Sequence, residues 1–238
     1  MRKGLLKSMI LALCLTLMGS VAALADNKDK GPAGESAKAA EAFREIMDAP
    51  DKAIPHEVLD AAQCIAVFPG AKKGAFVVGV QKGDGVVSCR TGNGWSAPVF
   101  LDMEGGSIGP QIGGQSTDYV LLFMNSKGAD RLLQNKFEIG GEASVAAGPV
   151  GRDAAASTDW KLNAEILSYS RSKGLFAGAA LKGVKISVDD SDMRKVYGSS
   201  ATAQGLLREN KFEATPAVRA FPNTLEQFSA ATATSKQP

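Results

Sequence analysis

The sequence predicts a single α+β domain with a Gly-rich, strongly curved, mainly antiparallel sheet and helices at both ends. Three observations predict this class. Apolar residues recur at helical spacing near the N-terminus, glycines in the middle of the chain alternate with Val, Ile, Phe and Leu, and the pattern after Asp189 becomes helical again. Composition agrees, because 45% apolar and 22% charged residues are typical of a globular protein.

The first 25 residues are predicted to be a secretory signal peptide. Arg2, Lys3 and Lys7 precede an apolar run too short to span a membrane, and Ala23–Ala25 offers small residues for cleavage near Ala25/Asp26. We therefore expect an exported protein, periplasmic or secreted. Three of the 27 basic residues lie in this segment, against 25 acidic residues in the whole chain. The mature protein is then nearly neutral, and nucleic acid is not an expected partner.

Two helices are predicted after a polar linker at residues 26–34. Apolar residues recur at three- and four-residue steps in the segment Glu35–Met47, which predicts an amphipathic helix. Pro50 ends it, and Pro55 suits the first turn of a second, shorter helix. The polar face of the first helix is acidic rather than basic, so we expect this helix to pack on the sheet and not on a membrane.

The sheet is predicted from glycine and turn signals. Of the 24 glycines that follow the signal segment, twenty lie between Gly70 and Gly183. Asp84–Gly85 and Asn93–Gly94 are predicted hairpin turns that join three antiparallel strands. Because glycine permits bends and close backbone approach, we expect strong curvature, up to a partly closed barrel. Strands are predicted at 75–82, 86–90, 95–101, 107–113, 118–125, 138–147, 164–171 and 175–188, with a short helix at 127–134.

The folded domain is expected to span residues 35–208. Residues 209–238 are predicted to be a C-terminal extension, with disorder from Ala230 onwards, where the sequence ATATSKQP is polar and small.

The sequence contains no arrangement typical of an enzyme. His56 is the only histidine, so a Ser/His or Cys/His pair has to use it, and no zinc-binding cluster or P-loop is present. Gly92–Ala97 matches a dinucleotide-binding pattern, but a strand rather than a helix is predicted to follow. Asp189, Asp190 and Asp192 are interpreted as acids in the first turn of a helix. We expect no catalysis, no cofactor and no metal.

Cys64 and Cys89 are the two cysteines of the mature chain. An even count in an oxidising compartment is compatible with a disulfide, and two buried free thiols are an equally good interpretation. The sequence leaves both open.

A cationic segment is the strongest binding signal. Arg171 and Lys173 stand beside Gly174 and the apolar pair Leu175–Phe176, and Lys72–Lys73 follow a Pro-Gly turn. Cations of this kind bind phosphate groups, and Leu175 and Phe176 are candidates for insertion into a membrane. The alternative is that the apolar pair begins a core strand and the cations are ordinary surface residues, and the residues alone slightly favour this alternative.

The same region resembles the SYLF domain family, which also occurs in the yeast SH3-containing actin-binding proteins. The main match is SYSRSKGLFAGAALKG (168–183), and supporting segments are IAVFP (65–69), GNGWSAP (92–98), QIGGQSTDYVLLFMNSKGAD (111–130), IGGEASVAAGPVGR (139–152) and VYG (196–198). The resemblance implies binding of phosphoinositides or other anionic phospholipids, association with actin filaments in eukaryotic members, and no enzymatic activity. It makes Lys72, Lys73, Arg171 and Lys173 the leading ligand site.

Three functions are therefore expected, in this order. The first is an exported, non-enzymatic lipid-binding protein that docks on phosphoinositide-like or other anionic headgroups through the basic patch. The second is a protein-interaction module with actin or an envelope protein as partner. The third is a carrier whose curved sheet encloses a hydrophobic ligand.

Overall fold

A computed structural model describes residues 31–49, 53–75, 78–108, 113–151, 164–172, 174–179 and 181–235. The predicted signal peptide lies outside the described residues, as does the linker before Gly31. The helices are α1 (Pro32–Met47), α2 (His56–Ala61), α3 (Ser126–Arg131), α4 (Asp190–Tyr197), α5 (Ala203–Leu207) and α6 (Ala220–Ser235). The strands are β1 (Cys64–Ala75), β2 (Val78–Thr91), β3 (Gly94–Trp95), β4 (Val99–Ile108), β5 (Gly113–Phe123), β6 (Lys136–Ile139), β7 (Val145–Ala147), β8 (Ile166–Ser172), β9 (Leu175–Gly178) and β10 (Val184–Val188).

The strands form one strongly curled half-barrel with the order β6-β10-β4-β2-β1-β5-β8-β7. Strand β3 pairs with the end of β2, and β9 pairs with β8. All described pairs of strands are antiparallel except β7 and β8, which run parallel. The predicted fold class, an α+β domain on a curved and mainly antiparallel sheet, is confirmed.

Two hairpin turns were expected in the first half of the sheet, and one of them is wrong. Asn93 lies in the turn between β2 and β3, where Arg90 pairs with Trp95, as expected. Asp84 and Gly85 instead lie inside β2, opposite Asp102 and Leu101 of β4. A side chain of β1 occupies the space that a Cβ atom at Gly85 would fill, so glycine serves close packing at this position and not a turn.

Two predicted long strands are each divided. The segment 138–147 forms β6 and β7, which lie at opposite edges of the sheet, and a turn at Gly140 separates them with a φ of 84°. The segment 175–188 forms β9 and β10, which pair with β8 and with β4 and β6 respectively. Glycine supplies the break in both cases, since Gly183 also has a positive φ of 70°.

Helices α1 and α6 cover the sheet and close the core. Helix α1 begins at Pro32, three residues before the expected start, because proline suits the first helical position. Ser36 Oγ, which is buried, donates to Val218 O over 2.7 Å and accepts from Phe221 N over 3.2 Å. Phe43 of α1 packs edge-to-face on Phe228 of α6. Helix α6 continues to Ser235, past the point where disorder was predicted to begin.

Cys64 and Cys89 are joined by a disulfide, the first of the two alternatives left open by the sequence. The two residues are directly opposite each other in the β1–β2 pair. Of the helices in the described ranges, none has the length and apolar character needed to cross a membrane.

Candidate functional site

A cleft in the described part of the chain lies between α1, the middle of β1 and β2, and the start of α4. Its volume is about 810 Å³. Seven acidic residues and three basic residues contribute to its wall. We call it the acidic cleft, and its charged residues are Glu35, Glu41, Glu45, Asp84, Asp118, Asp189, Asp192, Lys38, Lys72 and Arg171.

An irregularity in β1 shapes one wall of the cleft. The register of β1 shifts between Phe68 and Ala71 against β5, where Pro69 and Gly70 interrupt the alternation. Gly70 has a φ of 62°, a conformation that glycine adopts without strain. Its N–H donates to Asp118 Oδ1 over 2.7 Å, which ties the bulge to β5. The Pro-Gly pair therefore shapes the part of the wall that β1 and β5 form.

Arg171 closes one end of the acidic cleft through ion pairs. Its Nη2 lies 2.8 Å from Asp118 Oδ2 and its Nε donates to the same oxygen over 3.0 Å. The same guanidinium also pairs with Glu45 of α1. Arg171 thus links helix α1 to strands β5 and β8. Its charge is already neutralised by two carboxylates, so it is poorly placed to attract an anionic headgroup.

The structure brings together two of the four cations predicted to bind headgroups. Lys72 and Arg171 both line the acidic cleft, and Lys72 is exposed opposite Lys82 in the β1–β2 pair. The backbone of Lys73 lies in β1, but its side chain is outside the described part of the structure, as is Lys173. Lys72 and Arg171, the two predicted cations whose side chains are described, therefore lie among a majority of acidic residues.

The apolar pair Leu175–Phe176 is split by the alternation of β9. Leu175 is 72% exposed, whereas Phe176 is 9% exposed and stacks on Tyr169 with a centroid distance of 5.4 Å. Tyr169 is fully buried. Leu175 is available to an external surface, and Phe176 belongs to the core.

A carboxylate cluster lies at the other end of the acidic cleft. Glu35, Asp84, Asp189 and Asp192 line the wall there, and the fifth member, Asp102, is opposite Asp84 in the neighbouring strand and is not part of the wall. Asp84 and Asp102 are directly opposite each other in the β2–β4 pair, a position where like charges repel. Asp189 Oδ1 caps α4 by accepting from Ser191 N and Asp192 N, as the sequence predicts for acids at a helix start. Asp192 pairs with Lys195 over 2.6 Å.

Three members of the carboxylate cluster, Glu35, Asp84 and Asp102, form no salt bridge with the described residues. One carboxyl oxygen of Glu35 is buried and has no hydrogen-bond partner there either. Burial, and then the charges of Asp84 and Asp192, raise the pKa of Glu35 to about 9. Burial, followed by Asp189 and Asp84, raises the pKa of Asp102 to about 6. At pH 7 Glu35 is therefore protonated, while Asp102 is largely ionised.

The sequence did not reveal this cluster. Its members come from α1, β2, β4 and α4, separated by up to 157 positions between Glu35 and Asp192. Asp84 and Asp102 lie opposite each other because of the register between β2 and β4. The sequence analysis expected a turn at Asp84, so it did not predict this pairing. The described residues of the cluster do not form a group that could hold a metal ion.

Comparison with known proteins identifies the relatives of this chain. The family model described as "Ysc84: Las17-binding protein actin regulator" matches residues 104–228. The chain is 36% identical over 181 residues to the LAS seventeen-binding protein 3 of Saccharomyces cerevisiae, covering 74% of this chain and 39% of that protein. It is 31% identical over 182 residues to the human SH3 domain-containing YSC84-like protein 1, covering 75% and 53%. The chain thus spans about two fifths to one half of the curated relatives' length.

These relatives overturn the predicted localisation. They are proteins of yeast and mammals, named for binding LAS seventeen or for an SH3 domain, and they give no sign of export. The expectation of an exported, periplasmic or secreted protein is therefore wrong. It rested on the charge and apolar pattern of the first 25 residues alone, and such a pattern is short and unspecific.

The family model covers more than half of the chain, from within β4 to Phe228 in α6, and so includes residues expected to form an extension. The similarity to the relatives extends over about three quarters of the chain. The resemblance to SYLF domains is confirmed. This chain belongs to the Ysc84 (SYLF) family, whose model is described as an actin regulator that binds Las17.

Proposed function

We propose that this chain is a non-enzymatic protein-interaction module of the actin-regulatory type, and that it binds a cationic segment of a protein partner in the acidic cleft. The observation that carries the proposal is the excess of acidic over basic residues in the cleft, where Asp84 forms no salt bridge with the described residues. The description of the family as an actin regulator and the relatives' names support the choice of a protein partner.

The geometry favours a cation over an anion. Seven acidic residues face three basic residues in the cleft, and Arg171 is already bound to two of the carboxylates. A phosphate group entering the cleft meets repulsion, whereas a lysine or arginine side chain meets unpaired carboxylates. The charges of such a surface guide association and set its specificity more than they set affinity.

Neutralising the cleft should weaken partner binding. We expect the double variant Glu41→Gln/Asp84→Asn to bind a Lys-rich peptide, and actin filaments in co-sedimentation, about threefold to tenfold more weakly, since each exposed charge pair contributes up to about 1 kcal/mol. Both side chains are exposed on the wall of the cleft, so the fold should be unaffected.

The matched control is Glu57→Gln/Glu213→Gln, which removes the same charge from exposed positions outside the cleft. It should bind within twofold of the wild-type protein. Equal losses in both double variants would show that only net charge matters, and the cleft would then not be the binding site. If the wild-type protein bound neither the peptide, nor actin, nor LAS seventeen, the proposal would be rejected.

A second candidate function is docking on anionic phospholipids, as the sequence predicted. The specific observation in its favour is Leu175, which is 72% exposed beside the described end of β8 and follows Lys173 by two residues in sequence. An exposed leucine close in sequence to a lysine is suited to a headgroup surface, where each cation contributes about 1 kcal/mol. A hydrophobic carrier has less support, because charged residues line the three described pockets.

Liposome flotation tests the lipid function. The wild-type chain should float with phosphatidylglycerol or phosphoinositide vesicles at low salt, and not with neutral vesicles. Changing Lys72, Lys73, Arg171 and Lys173 to Gln should reduce flotation by about tenfold or more. The control changes Lys136, Lys182, Lys185 and Lys211, which are exposed elsewhere. Equal flotation of both variants, or flotation insensitive to salt, would exclude the predicted headgroup site.

A further inference from the structure

Arg171 is a cation of the chain itself, and it lies in the acidic cleft, where the proposed function places a cation of the partner. It comes from β8 and pairs with Asp118 of β5 and with Glu45 of α1. All three side chains contribute to the wall of the cleft. This end of the cleft therefore holds a guanidinium group between two carboxylates already in the free protein.

The contact between Arg171 and Asp118 is local and saturated. The two residues are directly opposite each other in the β5–β8 ladder, a position where opposite charges stabilise a sheet. Asp118 Oδ1 accepts from Gly70 N, and Asp118 Oδ2 accepts from Arg171 Nε. Both oxygens of Asp118 are thus occupied, and we expect this pair to persist when a partner binds.

The contact between Arg171 and Glu45 is long-range and more accessible. Glu45 precedes Arg171 by 126 positions in the chain, and its side chain is 48% exposed, against 18% for Asp118. An exposed ion pair is weak, because water solvates both charges and the side chains lose freedom when they pair. Glu45 is therefore the carboxylate that a cation from outside can take from Arg171.

We propose that Arg171 is an internal competitor of the partner: it occupies Glu45 in the free protein, and a lysine or arginine of the partner displaces it from Glu45 while Asp118 retains it. The inference rests on the proposed function and adds selectivity to the same cleft. A partner with one cation gains little, since one ion pair breaks for each one that forms. A segment with several cations gains more, because its other charges reach Glu41 and Asp84, which are exposed on the wall.

Removal of Arg171 should strengthen binding. We expect Arg171→Gln to bind the Lys-rich peptide about threefold to tenfold more tightly than the wild-type protein at equal ionic strength, since the carboxylates of this end are then free for the partner. Lys136→Gln is the matched control, because it removes one positive charge from an exposed position on β6, outside the cleft. It should bind within twofold of the wild-type protein. An unchanged or lower affinity for Arg171→Gln overturns the proposal.

Glu45→Gln, made alone and together with Arg171→Gln, separates competition from net charge. Alone, it should change the affinity by less than twofold, because the partner loses a carboxylate but no longer has to displace Arg171 from it. Combined with Arg171→Gln, it should weaken binding about threefold or more relative to Arg171→Gln, since Glu45 is then available to the partner. Equal effects of Glu45→Gln in the two backgrounds would show that the residues act through charge alone, against the proposal.

The wild-type protein offers a measurement that does not depend on how the variants fold. The Nε–H signal of Arg171 in nitrogen-15 NMR spectra should shift when the peptide is added, because the guanidinium loses one of its two carboxylate partners. Arg90 is the internal control, since its Nε donates to Ala62 O outside the cleft and its signal should stay in place. Peptide binding with an unmoved Arg171 signal overturns the competition and leaves the proposed function standing. If the wild-type protein and Arg171→Gln both fail to bind the peptide, the acidic cleft is not a site for cations, and the inference falls with the proposed function.

Discussion

Replacement of Gly85 by alanine should destabilise the fold by about 2–3 kcal/mol, the range expected when an extra methyl group is forced into a packed core. A Cβ atom at this position would lie 2.3 Å from Phe68 Cδ1 and 2.6 Å from Val67 O. Phe68 is fully buried, and Val67 O belongs to the strand next to β2, so neither group can move away without disturbing the core. Urea unfolding should show a lower midpoint with an unchanged slope.

Gly106→Ala is the matched control for this prediction. Gly106 lies in β4, the other neighbour of β2, and a Cβ atom there would meet nothing within 4 Å. Its substitution should change stability by less than about 1 kcal/mol, with a gain expected from reduced freedom of the unfolded chain. Equal losses for the two alanine variants would mean that glycine is required for backbone conformation in this sheet, and not for the approach of Phe68.

Gly85 also explains the main error in the sheet prediction. Asp-Gly is a strong hairpin signal because the turn needs a residue that tolerates positive φ. Here the glycine has an extended backbone, and its missing side chain makes room for Phe68 of β1. The sequence alone does not distinguish a glycine that forms a turn from a glycine that makes room for a neighbour. The neighbour here is Phe68, which lies 17 positions away in another strand.

Local signals were sufficient for the fold class and for parts of the helices. Pro55 marks the start of α2 and Asp189 caps α4 as predicted, whereas α1 begins at Pro32, within the segment expected to be a linker. The order of the strands in the sheet could not be predicted from these local signals. Strands β9 and β10 are close in sequence but lie on different parts of the sheet, because the connection from Ala179 to Gly183 crosses from β8 to β4 and β6.

Prediction of the candidate site required knowledge of strand register and helix position even more than prediction of the fold did. The sequence placed Arg171 and Lys72 on one surface, and they do share the acidic cleft. It could not place Glu45 and Asp118 beside Arg171, since this requires α1 to lie across the sheet. A basic residue indicates a site for an anionic ligand only when no carboxylate of the protein already neutralises it. The carboxylates that neutralise Arg171 come from distant segments of the chain.

Replacement of Glu35 by glutamine should raise the free energy of unfolding at pH 7 by about 1–3 kcal/mol, after allowance for partial exposure of the side chain. Folding raises the pKa of Glu35 from 4.5 to about 9 through burial and the neighbouring Asp84, Asp192, Asp189 and Asp102. The folded protein must therefore keep a proton that the unfolded chain releases. Glutamine has a similar shape and carries no charge, so it avoids this penalty.

The sign of the pH dependence follows from the same shift. Below about pH 4 the carboxyl group is protonated in both states, and the wild-type and variant proteins should differ little. As the pH rises towards 9, the wild-type protein loses stability relative to Glu35→Gln, and the difference in melting temperature should grow to several degrees. Glu41→Gln on the same helix is the control, because its side chain is exposed, and it should not reproduce the gain in stability of Glu35→Gln. A constant difference for Glu35→Gln across this range would contradict the burial argument.

Stability and binding should respond in opposite directions to this change. A partner's lysine or arginine beside Glu35 favours the ionised carboxyl group, so binding near pH 7 should release a proton, which calorimetry in buffers of different ionisation enthalpy can measure. Glu35→Gln should be more stable, should bind the Lys-rich peptide more weakly, and should release fewer protons on binding. If the variant gained both stability and affinity, the carboxylate cluster would not be part of the binding site. Carboxylates that weaken the fold are retained more readily when they serve a partner, because selection for function tolerates local loss of stability.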